Sequence, residues 1–141
     1  MDVTKEKLIE VARRFADALD ACSYTQAADF LSPECRYHVS ADDVLVDPEA
    51  ILASYHECDV KARRDFDQIK YRSEATADES GGVRLTFFDE LRRGGATHTY
   101  SSTQIVYFDE QTRIDRIELR EISGERDRLN CFCKSLGIER D

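Results

Sequence analysis

The sequence predicts an α+β domain in which a curved antiparallel sheet packs on helices that come earlier in the chain. Apolar residues in the first third recur at steps of three and four, whereas from about residue 67 the apolar period changes to two. Residues 97–108 and 113–122 are strand-like runs joined by a short Asp-Glu-Gln-Thr turn. Long antiparallel strands after helices favour a sheet curled around a helix, a shape that usually encloses a pocket.

A single apolar stripe predicts the first helix, over residues 4–22. The members of the stripe are Leu8, Val11, Phe15, Leu19 and Cys22. A short second helix, over 24–31, should stop before Pro33, because the residue that precedes proline is disfavoured in the helical region. Alternation over residues 35–39 then predicts a half-buried strand.

The third predicted helix covers residues 48–66, with Asp47 as its cap and Pro48 in its first turn. A short fourth helix, over 125–136, is expected to end the domain after Ser123-Gly124. Between these helices, alternation and turn residues predict strands over 67–76, 83–88, 97–108 and 113–122, with turns at 78–82 and 93–95.

The composition limits the classes of function. At 141 residues the chain is expected to be one domain, 1–141, large enough for a hydrophobic core. The net charge of −9 argues against a nucleic-acid partner, because phosphate-binding surfaces need clustered Lys and Arg. No apolar run is long enough to span a membrane, and the charged N-terminus differs from a signal peptide, so we expect a cytoplasmic protein.

The five cysteines have an odd count and scattered spacing, which predicts reduced thiols rather than a disulfide framework. The segments 131–133 and 56–58 contain possible Cys, His and Glu ligands, but they lack the paired knuckles of zinc sites. Asp42 and Asp43 are expected in a solvated loop rather than at a metal. We therefore expect no metal, no structural disulfide and no cofactor.

Three segments, residues 12–33, 47–55 and 107–114, resemble the nuclear-transport-factor-2-like superfamily, which includes ketosteroid isomerases and SnoaL-like polyketide cyclases. The last segment is similar to the F-[DN]-x-x-G-[RK]-[IV] hairpin of that superfamily, with Thr112 in place of the usual glycine. The resemblance implies a single SnoaL-like, ketosteroid-isomerase-like domain with a cystatin-like half-barrel. It says little about chemistry, because this fold hosts both enzymes and non-enzymes.

The resemblance also implies where the catalytic groups of a ketosteroid isomerase would lie. Matched position by position, the first-helix tyrosine falls on Phe15, the aspartate base on Val39 and the protonated aspartate on Gln104. Phe15 cannot donate a hydrogen bond and Val39 cannot accept a proton, whereas Gln104 retains an amide donor. Tyr55 matches a supporting pocket tyrosine. The expectation is a pocket without ketosteroid isomerase activity.

Alternation along the strands predicts which side chains face the pocket. Within that set, Asp89 or Glu121 is the candidate general base and His98 its partner, because a carboxylate in an apolar cone has its pKa raised towards neutrality. His98 near the hairpin end and Glu121 at a strand end also fit simple solvent exposure. The full predicted lining is Phe15, Tyr37, Val39, Tyr55, Phe87, Asp89, His98, Tyr100, Ser102, Gln104 and Glu121.

Two classes of function fit this pattern. The first is a cofactor-free lyase, isomerase or cyclase that acts on a hydrophobic carbonyl compound held in the pocket. The second is a non-catalytic ligand-binding or scaffolding domain. In both, the outward residues of the penultimate strand form an uncharged surface that predicts a homodimer; they are Thr99, Ser101, Thr103, Ile105 and Tyr107.

Overall fold

The computed structural model describes residues 4–139, which contain four helices and six strands. The mixture of curled sheet and packed helices confirms the predicted α+β class. In chain order the elements are α1 (Lys5–Asp20), α2 (Tyr24–Ala28), β1 (Leu31–Ser40), β2 (Asp43–Leu45), α3 (Pro48–Asp65), β3 (Gln68–Ala77), β4 (Val83–Arg93), β5 (Ala96–Phe108), β6 (Ile114–Arg120) and α4 (Glu125–Ser135).

The strands form one unclosed sheet in the order β2-β1-β6-β5-β4-β3. Every neighbouring pair is antiparallel except β1 and β6, which run parallel. The turn between β3 and β4 requires glycine at Gly82, because a Cβ there would lie 2.7 Å from the Val106 carbonyl oxygen. That close approach lets β4 enter the sheet beside β5 without a side chain between the two backbones.

The longer N-terminal helices begin at side-chain caps that the sequence indicates. Thr4 accepts a hydrogen bond from the Lys7 amide at the start of α1, and Asp47 accepts one from the Ala50 amide at the start of α3. α1 ends at Asp20, two residues earlier than predicted, and Cys22 has a left-handed backbone with φ of 56°. No helix in the described range is long and apolar enough to cross a membrane.

The predicted boundary at Pro33 is wrong. α2 ends at Ala28, and Leu31 already pairs with Ile114 at the start of β1. The parallel ladder overrides the helical pattern here, since the Ile114 amide donates to the Phe30 carbonyl at 2.8 Å. Pro33 lies where the register between β1 and β6 shifts, so its missing N–H disturbs no regular ladder pairing.

The short strand β2 was not predicted. It pairs with the end of β1, and Asp43 is therefore an exposed strand residue rather than part of a loop. Its three residues are too short to show alternation, which explains why sequence periodicity does not reveal it. The last predicted strand is also shorter than expected, because β6 ends at Arg120.

Two separate apolar clusters stabilise the domain. The main core lies between α1, α3 and the concave face of the sheet, with Phe15, Ile51, Leu85 and Ile117 fully buried. A smaller cluster lies under α4; its buried members are Phe66, Leu91, Leu129, Cys133 and Ile138.

The convex face of the sheet, which points away from the helices, is covered by charged side chains. Ile105 on β5 is fully buried there although it belongs to neither apolar cluster. It lies directly opposite Arg84 on one side and Glu118 on the other. The outward stripe of β5 is thus bordered by charges from both neighbouring strands, which the sequence of β5 alone does not reveal.

Candidate functional site

A cavity of about 390 Å³ opens between the concave face of the sheet and helices α1, α3 and α4. Seven aromatic rings contribute to its wall, together with two groups of polar side chains at different places along the sheet. We call these the amide end, formed by Tyr37, Tyr55 and Gln104, and the carboxyl end, formed by Asp20 and Asp89. The aromatic residues of the wall are Tyr24, Tyr37, Tyr55, Phe66, Tyr71, Phe87 and Tyr100.

The structure brings eight of the eleven residues of the predicted lining to this cavity. They come from β1, α3, β4, β5 and the segment after β6, and they are Tyr37, Tyr55, Phe87, Asp89, Tyr100, Ser102, Gln104 and Glu121. Phe15, Val39 and His98 do not line it.

Phe15 and Val39 belong to the core behind the cavity. Phe15 is fully buried and meets the Tyr55 ring edge-on, with ring centroids 6.3 Å apart. Val39 is partly buried and packs against the same core. Phe15 therefore supports a cavity residue rather than contacting a ligand itself.

His98 is covered by α4. Its ring stacks on Phe132 at a centroid distance of 5.0 Å, and it lies opposite Leu91 in the ladder between β4 and β5. Its Nε2 atom is buried without a hydrogen-bond partner among the described residues. The prediction that His98 lines the pocket as the partner of a catalytic carboxylate is corrected: His98 is not among the residues that line the cavity, and its ring packs on Phe132 of α4.

The amide end is a directed chain of hydrogen bonds. The Tyr55 hydroxyl donates to Gln104 Oε1 at 2.7 Å, and Gln104 Nε2 donates to the Tyr37 hydroxyl oxygen at 3.2 Å. The two tyrosine rings stack with centroids 5.6 Å apart. Burial raises the pKa of both hydroxyls above the usual value, so both remain protonated. Because the Tyr37 hydroxyl oxygen accepts from Gln104, its O–H is the group that Tyr37 can offer to a ligand.

The carboxyl end contains a carboxyl group with no hydrogen-bond donor in the described part of the chain. Asp89 on β4 lies between Tyr71 of β3 and Tyr100 of β5 in the ladder. Burial, reinforced by the nearby charge of Asp20, raises the pKa of Asp89 to about 7. Asp20 accepts a hydrogen bond from the Ser73 hydroxyl at 2.7 Å, while burial raises the pKa of Asp20 as well.

Sequence reasoning missed the contribution of α1 and β3 to this end of the cavity. Asp20, Asp59 and Tyr71 all line it. Burial opposes the ionisation of Asp59, but hydrogen bonds from Tyr71 at 2.7 Å and from Arg63 hold its pKa below the usual value. Alternation along β3 places Tyr71 and Ser73 on one face. The period-two argument used for the later strands would therefore have identified the contribution of β3 if it had been extended to that strand.

Glu121 lies at the mouth of the cavity, after the end of β6. Its carboxylate accepts hydrogen bonds from the Arg126 guanidinium, one of them 2.8 Å long, and both side chains are exposed. Arg126 and Leu129 bring α4 to the cavity wall. Of the two candidate bases, Glu121 is therefore neutralised by an arginine, whereas Asp89 has no such partner among the described residues.

No three His, Cys, Asp or Glu side chains within residues 4–139 converge as a metal site would require. In the same range, no disulfide bond joins any of the five cysteines. The chemistry that these residues offer is hydrogen bonding at the amide end and proton transfer at the carboxyl end.

No family model matches the sequence. No curated protein matches it significantly either. Solved structures do match the fold. One is a candidate polyketide cyclase from Xanthomonas campestris pv. campestris, 9% identical, with a TM-score of 0.59 over 82% of this chain and 90% of that chain.

Two further structures are similar at the same level. An uncharacterised cystatin-fold protein from Novosphingobium aromaticivorans is 12% identical, with a TM-score of 0.60 over 81% of this chain and 97% of that one. A nuclear-transport-factor-2-like protein of unknown function from Exiguobacterium sp. 255-15 is 14% identical, with a TM-score of 0.61 over 80% and 98%. The predicted resemblance is confirmed at the level of structure: this chain has the nuclear-transport-factor-2-like, cystatin-type fold.

Proposed function

We propose that the protein is a cofactor-free enzyme that removes a proton from a hydrophobic carbonyl compound, with Asp89 as the general base. One observation carries this proposal. Asp89 is mostly buried in the cavity wall, no described group donates a hydrogen bond to it, and its pKa of about 7 suits proton transfer near neutral pH.

The reaction needs a base and a group that stabilises negative charge. The Asp89 carboxylate would accept the proton as the substrate C–H bond breaks, and the electron pair would move to the carbonyl oxygen to form an enolate. The Tyr37 hydroxyl, polarised by the hydrogen bond that it accepts from Gln104, would donate to a substrate oxygen that reaches the amide end. Return of the proton to another carbon gives isomerisation, and attack of the enolate carbon on a second carbonyl gives cyclisation.

Ketosteroid isomerase activity is not part of the proposal. The two positions that correspond to its tyrosine donor and its aspartate base hold Phe15 and Val39, and neither side chain lines the cavity. The residues that we assign instead, Tyr37 and Asp89, are on different strands. The candidate polyketide cyclase among the structural neighbours supports a carbonyl substrate for this fold. Because its sequence is 9% identical to this chain, no residue roles are taken from it.

The proposal is tested by hydrogen–deuterium exchange at the α-carbon of simple aryl ketones, 1-indanone and 2-acetonaphthone, followed by NMR in D2O. We expect a protein-catalysed rate that rises with pH through a midpoint near 7, as Asp89 ionises. Asp89→Asn should lower that rate by about 100-fold or more, the usual range for loss of a general base.

The matched control is Asp42→Asn, which makes the same change at an exposed turn residue and should leave the rate unchanged. An exchange rate that Asp89→Asn leaves intact would contradict the assignment of the base. Saturable ketone binding with no exchange at any pH would instead favour the second class of function, a non-catalytic ligand-binding domain.

We also propose that the protein is a cytoplasmic homodimer that associates through the convex face. The uncharged stripe of β5 includes Thr99 and Ser101, and the arginine and glutamate side chains beside it offer both signs of charge to a second copy. The odd number of cysteines fits a reducing compartment. Light scattering should give twice the mass of 16.2 kDa at micromolar concentration, and a monomeric mass would contradict the dimer.

A further inference from the structure

The two edges of the sheet differ in what they offer to another strand. At one edge, β2 has three residues and pairs with β1 across a register shift. At the other edge, β3 pairs with β4 over ten consecutive residues without a shift, from Gln68 to Ala77. β3 ends the strand order of the described sheet, and none of its residues is fully buried. A long and regular edge of this kind is a template for a further strand.

The hydrogen bonds of the turn between β3 and β4 show which backbone groups of β3 face outwards. The Asp78 amide donates to the Gly82 carbonyl oxygen at 2.9 Å, so the even-numbered residues of β3 form the hydrogen-bonded pairs with β4. The N–H and C=O groups of the odd-numbered residues therefore point away from β4. These residues are Ile69, Tyr71, Ser73, Ala75 and Ala77.

The convex side of β3 carries charges of both signs beside this free edge. The Arg72 guanidinium lies 4.0 Å from the centroid of the Phe88 ring and 3.7 Å from the Glu90 carboxylate, and its side chain is still 53% exposed. Two residues further along the strand, the Glu74 side chain is exposed and forms no ion pair with a cationic side chain within residues 4–139. A strand added at the edge would thus meet one positive and one negative charge on either side of Ser73.

A second copy of β3 satisfies these charges in one register. In an antiparallel pair with its two-fold axis at Ser73, each Arg72 lies directly opposite Glu74 of the other copy. An axis at Arg72 would place two arginines opposite each other, and an axis at Glu74 would do the same with two glutamates. An axis at Tyr71 would oppose Lys70 and Arg72. Since directly opposed unlike charges stabilise a strand pair and like charges destabilise it, the axis at Ser73 is favoured.

We propose that the free edge of β3 pairs with β3 of a second copy, antiparallel and with the two-fold axis at Ser73, so that two six-stranded sheets become continuous. The inference does not depend on catalysis by Asp89, and it uses a different surface from the convex-face association. A single strand pair buries less surface than a standard stable interface, so we expect the pairing at high protein concentration. Because Ser73 donates to Asp20, the seam runs beside the carboxyl ends of both cavities.

The experiment is amide hydrogen exchange, followed by NMR at two protein concentrations about twentyfold apart. In dilute protein the odd-numbered amides of β3 should exchange fast, whereas β4 protects the even-numbered ones. In concentrated protein the odd-numbered amides should exchange about tenfold or more slowly. Contact between two convex faces adds no backbone hydrogen bond at an edge, so the convex-face dimer alone would leave this pattern unchanged. Odd-numbered amides that exchange equally fast at both concentrations would overturn the inference.

Charge reversal tests the register. Arg72→Glu and Glu74→Lys each place like charges opposite each other, so each variant alone should pair about tenfold more weakly. An equimolar mixture of the two should pair like the parent, because the acidic copy and the basic copy are again complementary. Lys70→Glu is the matched control, since Lys70 lies opposite Thr76 in this register and the pairing should persist.

Protection of the even-numbered amides shows that each variant is folded. A mixture that does not recover the pairing would overturn the inference. A loss in Lys70→Glu as large as that in Glu74→Lys would also overturn it, because the seam would then have another register.

Discussion

Two aspartates near opposite ends of β4 have carboxyl pKa values that are shifted in opposite directions on the two faces of one sheet. Asp78, in the turn before β4, is 3% exposed and is surrounded by donors: the Ser80 hydroxyl, the Ser80 amide and the guanidinium of Arg84. These contacts, with that of Ser80 the strongest, lower its pKa to about 2. Asp89, within β4 and on the concave face, receives no hydrogen bond from a donor within residues 4–139, and its pKa rises to about 7.

The difference shows which carboxyl groups serve structure and which remain available for chemistry. On the convex face, the Asp78 carboxylate holds arginine side chains over the sheet, including the Arg120 guanidinium of β6 at a distance of 3.7 Å. On the concave face, the part of the chain that the structure describes offers Asp89 no partner, which costs stability and is common where a group must change its protonation state. The contrast between the faces is therefore open to direct tests of stability, of pH dependence and of packing.

The largest expected effect concerns packing on the two faces. Ile117→Ala, in the main core on the concave face, should lower the free energy of unfolding by about 3–4 kcal/mol. Ile105→Ala, on the neighbouring strand but under the charged side chains of the convex face, should cost about 2 kcal/mol in the dissociated monomer, because those flexible side chains can settle into the space. Urea denaturation of both variants measures the two values.

An equal or larger loss for Ile105→Ala in the dissociated monomer would break the comparison. At higher protein concentration, where a second copy of the chain covers the convex face in the proposed dimer, the loss for Ile105→Ala should increase. Repeating the denaturation at several protein concentrations separates that case, because the stability of a dimer depends on concentration.

The next effect concerns the pH dependence of stability. Unfolded aspartate has a pKa of about 4, so between about pH 4 and 7 folded Asp89 retains a proton that the unfolded chain loses. Stability consequently falls as the pH rises through this window. Asp89→Asn removes the penalty and should raise the free energy of unfolding by about 4 kcal/mol at pH 8, with little change at pH 4.

Asp78→Asn is the matched variant with the opposite sign. Because folding lowers the pKa of Asp78, its contribution is present above about pH 4 and disappears as the pH falls to about 2. The variant should therefore be less stable than the parent at neutral pH and equal to it in strong acid. Parallel pH dependences for the two variants, measured by denaturation from pH 2 to 8, would contradict the account.

Much of the fold could be predicted because its signals are local. The stripe through Phe15 and the caps at Asp47 and Pro48 define helices by contacts within a few residues, and the observed bounds of α1 and α3 are within two residues of those predicted. The end of α2 and the existence of β2 could not be predicted in the same way. Both depend on pairing with strands elsewhere in the chain, as Leu31 does with Ile114.

The candidate site shows the same division. Alternation correctly placed Asp89 and Gln104 on the concave face, because the strand period continues without interruption through β4 and β5. It does not indicate where a helix will cover that face, and α4 covers His98. Nor does it indicate that Asp20, at the end of α1, approaches Asp89, since that proximity arises only from the packing of α1 on the sheet.

The most direct test of the central claim is the titration of Asp89 itself. The carboxyl resonances of protein labelled with ¹³C-aspartate are followed by NMR from about pH 2 to 9, and Asp89→Asn identifies the resonance of Asp89 by its loss. We expect a midpoint near 7 for Asp89 and near 2 for Asp78 in the same spectra. A midpoint for Asp89 near the ordinary value of about 4 would show that the pKa of its carboxyl group is not raised towards neutrality. That result would contradict the proposed function.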